Sequence, residues 1–120
     1  MNKQELLSRT KRFHVNVIKL CMDLPQNNAG FETAKQLIRS AGSVGANYRA
    51  ALRAKSTADF IYKVTVVLEE ADESHYWLEI TREAALLNTH SLLNNLLDEA
   101  DQLTAIFAAT VKTAKMNAGR

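Results

Sequence analysis

Lys35, Arg39, Arg49, Arg53 and Lys55 put five cations into residues 31–55, a stretch whose one acid is Glu32. Inside it runs Arg39-Ser-Ala-Gly-Ser-Val-Gly-Ala-Asn-Tyr-Arg49, which holds two of the chain's four glycines. Each glycine in a helix interior costs about 1 kcal/mol relative to alanine, so Gly42 and Gly45 point to close backbone approach or a ligand surface. At helical spacing Lys35, Arg39, Gly42, Ala46, Arg49 and Arg53 fall along one stripe, with Lys55 just beyond. The chemistry such a stripe offers is phosphate neutralisation, a sugar-phosphate backbone approaching Gly42 and Ala46 between long cationic side chains. The competing account is a solvated face, or one satisfied by acids of a neighbouring helix, and the stripe carries no aromatic residue on which a single-stranded base would stack.

Gln36, Ser40, Ser43 and Asn47 form a second stripe between the basic and apolar faces, read as a packing or contact surface. Buried serine hydroxyls can bond carbonyls four residues earlier, and Asn47 can bond a neighbouring backbone; alternatively Ser43 caps a helix restarted after a break at Gly42. Gly45 lies toward the apolar stripe and suits close packing, whereas Gly42 lies among the arginines and suits an approaching backbone, of RNA or of another subunit. Catalytic chemistry finds little support. There is no nucleophile elbow, phosphate-binding loop or arranged triad, and the motif's serines have no adjacent histidine to act as base. The carboxylates Glu69, Glu70, Asp72, Glu73 and Glu79 raise a di-metal bundle site, but that site needs two Glu-x-x-His pairs and the chain offers only Asp72-x-x-His75. No catalytic residue, metal site or cofactor is expected, and His75 reads as a core or interface histidine.

These residues require helices to position them. One proline and four glycines in 120 residues favour long regular elements, and 47% hydrophobic with 23% charged residues suits one globular domain over residues 1–120. Apolar spacing predicts four helices, at about 3–24, 31–53, 57–87 and 92–114. Pro25 stops the first, and Ser56-Thr-Ala-Asp59 has the capping-box form at the start of the third. The third has apolar residues on two sides. Phe60, Val64, Val67, Leu68, Ala71, His75 and Leu78 face one way; Tyr62, Val66, Tyr76, Trp77 and Ile80 face the other, which makes Tyr62, Tyr76 and Trp77 candidates for an oligomer interface. Short connections oblige consecutive helices to alternate in direction, giving an all-α, antiparallel up-down-up-down four-helix bundle. Net charge is +2, but it is segregated, +4 over residues 31–55 against −5 over residues 56–87. A single cysteine excludes an internal disulfide, and the chain shows neither a signal-peptide core nor an apolar run of membrane-spanning length, so a soluble, cytoplasmic protein is expected. The last residues, 116–120, are expected to fray.

Taken together, the motif, the Ser-x-x-Asp-Phe helix start and Glu-Ala-x-Glu-x-x-Tyr-Trp-Leu resemble a bacterial family of small four-helix bundles, the ribosomal-RNA intervening-sequence type. That family's second helix typically reads Gln-Leu-x-Arg-Ser-x-x-Ser-hydrophobic-small-Ala-Asn-x-x-Glu, matched here from Gln36 through Arg39, Ser40, Ser43, Gly45 and Ala46 to Asn47. The match continues through Ser56, Asp59, Phe60, Lys63, Glu70, Glu73, Trp77 and Leu78, then Leu96, Glu99 and Leu103. Ala50 stands close to where the family commonly has glutamate. The resemblance implies a homopentameric assembly without known enzymatic chemistry. It also implies a link to nucleic acid, since some members are encoded inside insertions in large-subunit ribosomal RNA genes and a related branch assists retroelement reverse transcriptases. The expectation is therefore a non-enzymatic oligomer that binds structured RNA or DNA through its second helix. The rival is a protein-only scaffold or adaptor that uses the same arginines in subunit or partner contacts.

Overall fold

A computed structural model of the chain describes residues 1–119, in which four helices and no strand occur. They are α1 (Lys3–Cys21), α2 (Asn28–Ala51), α3 (Thr57–Glu83) and α4 (Leu93–Ala118). Local chemistry sets their starts. Asn2 accepts the Glu5 N–H at 2.8 Å, Asn27 accepts the Gly30 N–H at 2.9 Å, and Ser56 accepts the Asp59 N–H at 3.1 Å, each satisfying an orphan donor of a first turn. Asp59 reaches one residue past the expected capping-box partner, accepting the Lys55 N–H at 3.1 Å rather than that of Ser56. Hydrogen bonds to the Lys63 ammonium and then to the Lys55 backbone hold the Asp59 carboxyl below the usual carboxylate range.

Several helix ends differ from the sequence expectation, for identifiable reasons. The Asn27 cap starts α2 at Asn28 rather than 31, drawing Gly30 into the first turn. There a Cβ on Gly30 would lie 1.8 Å from the Pro25 carbonyl oxygen, so the turn closes only on a residue without a side chain. α1 stops at Cys21 instead of 24, while Leu24 stays buried. α3 stops at Glu83 instead of 87, because Ala85 takes φ of 53° and the Leu86 N–H bonds back to the Thr81 carbonyl at 3.1 Å, a Schellman closure built without glycine. α4 continues to Ala118 rather than 114, so residues expected to fray through 118 are helical; Arg120 lies outside the described residues.

One apolar cluster draws on all four helices, including Phe13, Val17 and Leu20 from α1, Leu37, Val44 and Tyr48 from α2, Val64 and Leu78 from α3, and Leu103 and Phe107 from α4. Burying each of the larger side chains contributes about 1.5–3 kcal/mol before chain entropy is counted. α2 packs on α1 and α3, and α4 on α3 and more thinly on α1. The resulting molecule is elongated, 51 × 22 × 22 Å. α3 buries Val64, Val67, Ala71 and Leu78 as its pattern predicts, but Ser74 and Thr81 join them, while Phe60, Leu68 and His75 stay half exposed. Ser74 is admissible there because its Oγ lies 2.9 Å from the buried Ser40 Oγ and 2.9 Å from the Glu70 carbonyl.

Candidate anion-binding groove

The basic stripe of α2 is divided between two neighbours. At about 100° per residue, Arg39 and Arg49 lie at opposite edges of a stripe about 80° wide. Arg39 turns to α3, where it donates to Glu70 at 2.8 Å and to Glu73, and the Glu70 hydrogen bond foremost keeps its guanidinium firmly protonated. Its side chain is still 48% exposed, so the pair is a surface clasp rather than a buried ion pair. Arg49 and Arg53 turn to α1. There they line a groove of about 670 Å³ together with Gln4, Ser8, Lys11 and His14 from α1 and Gly42, Gly45 and Ala46 from α2.

Two properties distinguish this groove. Its cations come from two elements, Lys11 from α1, Arg49 from α2 and Arg53 from the turn just after α2, which ends at Ala51 rather than 53; none of the three is in an ion pair among the described residues. Among the described residues its lining contains no carboxylate. Small residues on α2 let α1 approach. A Cβ on Gly42 would meet the His14 imidazole at 3.0 Å, whereas one on Gly45 would meet Thr10 at an ordinary 3.5 Å. Both glycines thus pack against α1, Gly42 the more tightly, and the group that fills the space over Gly42 is a side chain of the same chain. Lys11 and His14 were not anticipated as site residues. Their signal was present as an i, i+3 pair on the polar face of α1, but only the register between α1 and α2 brings it opposite Arg49.

The other candidates disperse. Lys35 is exposed one turn before Arg39 and outside the groove; Lys55 lines a separate pocket of about 520 Å³ with Lys3 and Tyr48. Ser40 donates to the Leu37 carbonyl at 3.2 Å and receives Ser74, so its work is to join α2 to α3. Ser43 is half buried, and its carbonyl accepts the Asn47 amide at 2.9 Å, so Asn47 bonds within its own helix rather than to a neighbouring backbone. α2 runs unbroken through Gly42, so Ser43 caps no restarted helix. Tyr62 and Tyr76 are 69% and 52% exposed, whereas Trp77 packs against the core and edge-on to Tyr76 at 5.2 Å. His75 sits 3.3 Å from Glu79 at the surface. Among the described residues no cluster of three or more histidine, cysteine or acidic side chains can hold a metal ion, and no helix is long and apolar enough to cross a membrane.

No curated protein matches the chain. Among solved structures it is similar to a protein of unknown function from the S23 ribosomal protein family of Bacteroides thetaiotaomicron, with a TM-score of 0.82 and 29% identity, covering 93% of this chain and 99% of that one. The pattern of the 23S rRNA-intervening sequence proteins matches residues 2–109, which takes in α1 to α3 and most of α4. With the motif of α2, the Ser56 cap and the Glu70, Glu73 and Trp77 positions all inside that match, the chain belongs to the 23S rRNA-intervening sequence protein family.

Proposed function

We propose that the protein is a non-enzymatic nucleic-acid-binding module whose contact surface is the α1/α2 groove. The observation that carries this reading is the convergence of Lys11 from α1, Arg49 from α2 and Arg53 from the turn after it on a lining without carboxylates among the described residues. Long cations around a floor of Gly42, Gly45 and Ala46 suit phosphates, which supply affinity without reading sequence. The family's link to ribosomal RNA genes makes RNA the first probe. Binding of a short labelled RNA duplex, followed by fluorescence anisotropy across a salt series, should show log affinity falling with log salt. Arg49→Gln and Lys11→Gln should each lower that slope by roughly 0.7–0.9, while Arg39→Ala, whose side chain is clasped by α3, should leave it unchanged. Absence of binding at low salt sinks the reading.

The same proposal includes one domain, with consecutive helices alternating in direction, that associates with copies of itself, five by family resemblance. Support for the alternation comes from paired positions. Gly42 meets His14 and Gly45 meets Thr10 between α1 and α2, Arg39 meets Glu70 and Glu73 between α2 and α3, and Asp23 after α1 meets His90 before α4. Support for association comes from the two exposed tyrosines of α3 and from the opposite charges of residues 31–55 and 56–87. A ring of copies would repeat the groove, so that weak phosphate contacts add as avidity.

A further inference from the structure

We infer that His14 is a fourth phosphate contact of the groove, taking a proton from solvent as a nucleic-acid backbone enters. This rests on the groove being a nucleic-acid site, and it adds a residue and a regulation that the site's permanent cations do not imply. Of the three histidines, His75 stands beside Glu79 at 3.3 Å and His90 beside Asp23 at 2.7 Å. His14 has no carboxylate or hydrogen-bond partner among the described residues, yet it is half buried in the groove wall one turn after Lys11. Its ring rests against α2. The imidazole lies over the bare backbone of Gly42, its Cε1 and Nε2 both 3.0 Å from where a Cβ would stand.

The charged groups around it give the proton linkage its sign. Lys11 faces the groove from His14's own helix, Arg49 from α2 and Arg53 from the turn after it; α4, the other helix beside α1, contributes none of the described lining residues. Among the described residues the groove lining brings three cations and no carboxylate, so nothing in the lining itself can pair with an imidazolium. A phosphodiester brings the missing negative charge, and the imidazolium then donates an N–H to a phosphate oxygen. Linkage is reciprocal, so protons must tighten phosphate binding to the same degree that phosphate promotes protonation.

The test uses the whole chain and a short labelled RNA duplex. Between about pH 8 and about pH 5.5 the affinity should rise about three- to tenfold and the salt slope should steepen by roughly 0.7–0.9, one added phosphate contact. His14→Gln should bind with no such pH response, while His75→Gln and His90→Gln retain it. In the unmodified chain, the NMR titration midpoint of the His14 Cε1–H should move to higher pH when the duplex is added. Gly42→Ala, which presses on the ring, should weaken the pH response, and Gly45→Ala should not. A His14→Gln variant that keeps the response, or an unmodified chain that binds without one, overturns the inference while leaving the groove reading intact. No binding at any pH overturns both.

Discussion

Gly30, Gly42 and Gly45 have three different surroundings, and alanine at each reports which one applies. At Gly30 an added Cβ would lie 1.8 Å from the Pro25 carbonyl oxygen, a backbone atom that cannot move without opening the α1–α2 turn. Gly30→Ala should therefore destabilise the fold by about 2 kcal/mol or more, read as a fall in the urea midpoint. At Gly45 the added methyl meets Thr10 at ordinary contact distance, so the helix-propensity gain goes unopposed and Gly45→Ala should stabilise by about 0.5–1 kcal/mol. Gly42 lies between these, since the imidazole it meets can swing away; stability should change little while His14 is displaced. Ala85 is the reverse case, an alanine in the left-handed region at φ of 53°. Ala85→Gly should raise stability by about 1 kcal/mol and the melting temperature by a few degrees, because the Schellman closure there imposes the strain that glycine avoids. Cys21 offers no comparable chemistry, since burial pushes its thiol up to about 11 and removes the thiolate.

Among the elements, the α2/α3 seam is the one held by polar as well as apolar contacts. Ser40 and Ser74 meet inside it, and Arg39 clasps Glu70 and Glu73 over it. Ser40→Ala should cost about 0.5–1.5 kcal/mol, less than a stranded polar group would, because Ser74 keeps the Glu70 carbonyl as partner. A double-mutant cycle with Ser74→Ala should return a coupling smaller than either single loss if that carbonyl compensates. The start of α3 carries a pH dependence of known sign. The Asp59 carboxyl is held low by Lys63 and Lys55, so its capping contribution is fully present above the ordinary carboxylate range and fades as pH falls through and below it; Asp59→Asn should remove that acid-side dependence from thermal melts. What was legible at this scale was what local chemistry decides: four helices, the Ser56 cap, and the stop near Pro25. The rotation of α3 was legible from Val64, Val67, Ala71 and Leu78, but its buried Ser74 was not, because it looks polar until Ser40 is placed opposite. The stop at Ala85 was also hidden, since the left-handed closure uses no glycine. The groove was half legible. Its α2 wall could be read from Arg49 and Arg53, but its α1 wall depends on interhelical register, which no single-helix pattern contains.

For the molecule as a whole, the proposed assembly and the proposed RNA site place competing demands on the same charges. If the acidic, tyrosine-bearing face of α3 docked into the α1/α2 groove of another copy, Arg49 and Arg53 would be consumed between subunits and no groove would remain for phosphate. The two roles are compatible only if α3 meets a different surface. Tyr62 and Tyr76 are the positions to probe, because both are mostly exposed; a charge at Trp77 would strike the core it packs against and confuse unfolding with dissociation. Tyr62→Glu with Tyr76→Glu should lower the mass measured by light scattering while the helical melting signal persists, and an unchanged mass would remove α3 from the interface. Arg49→Gln should then separate the remaining alternatives. Loss of RNA affinity at constant mass means that the groove faces solvent and binds phosphate. A fall in mass together with that loss means that the arginines join subunits, as the adaptor reading requires, and that any phosphate contact competes with assembly.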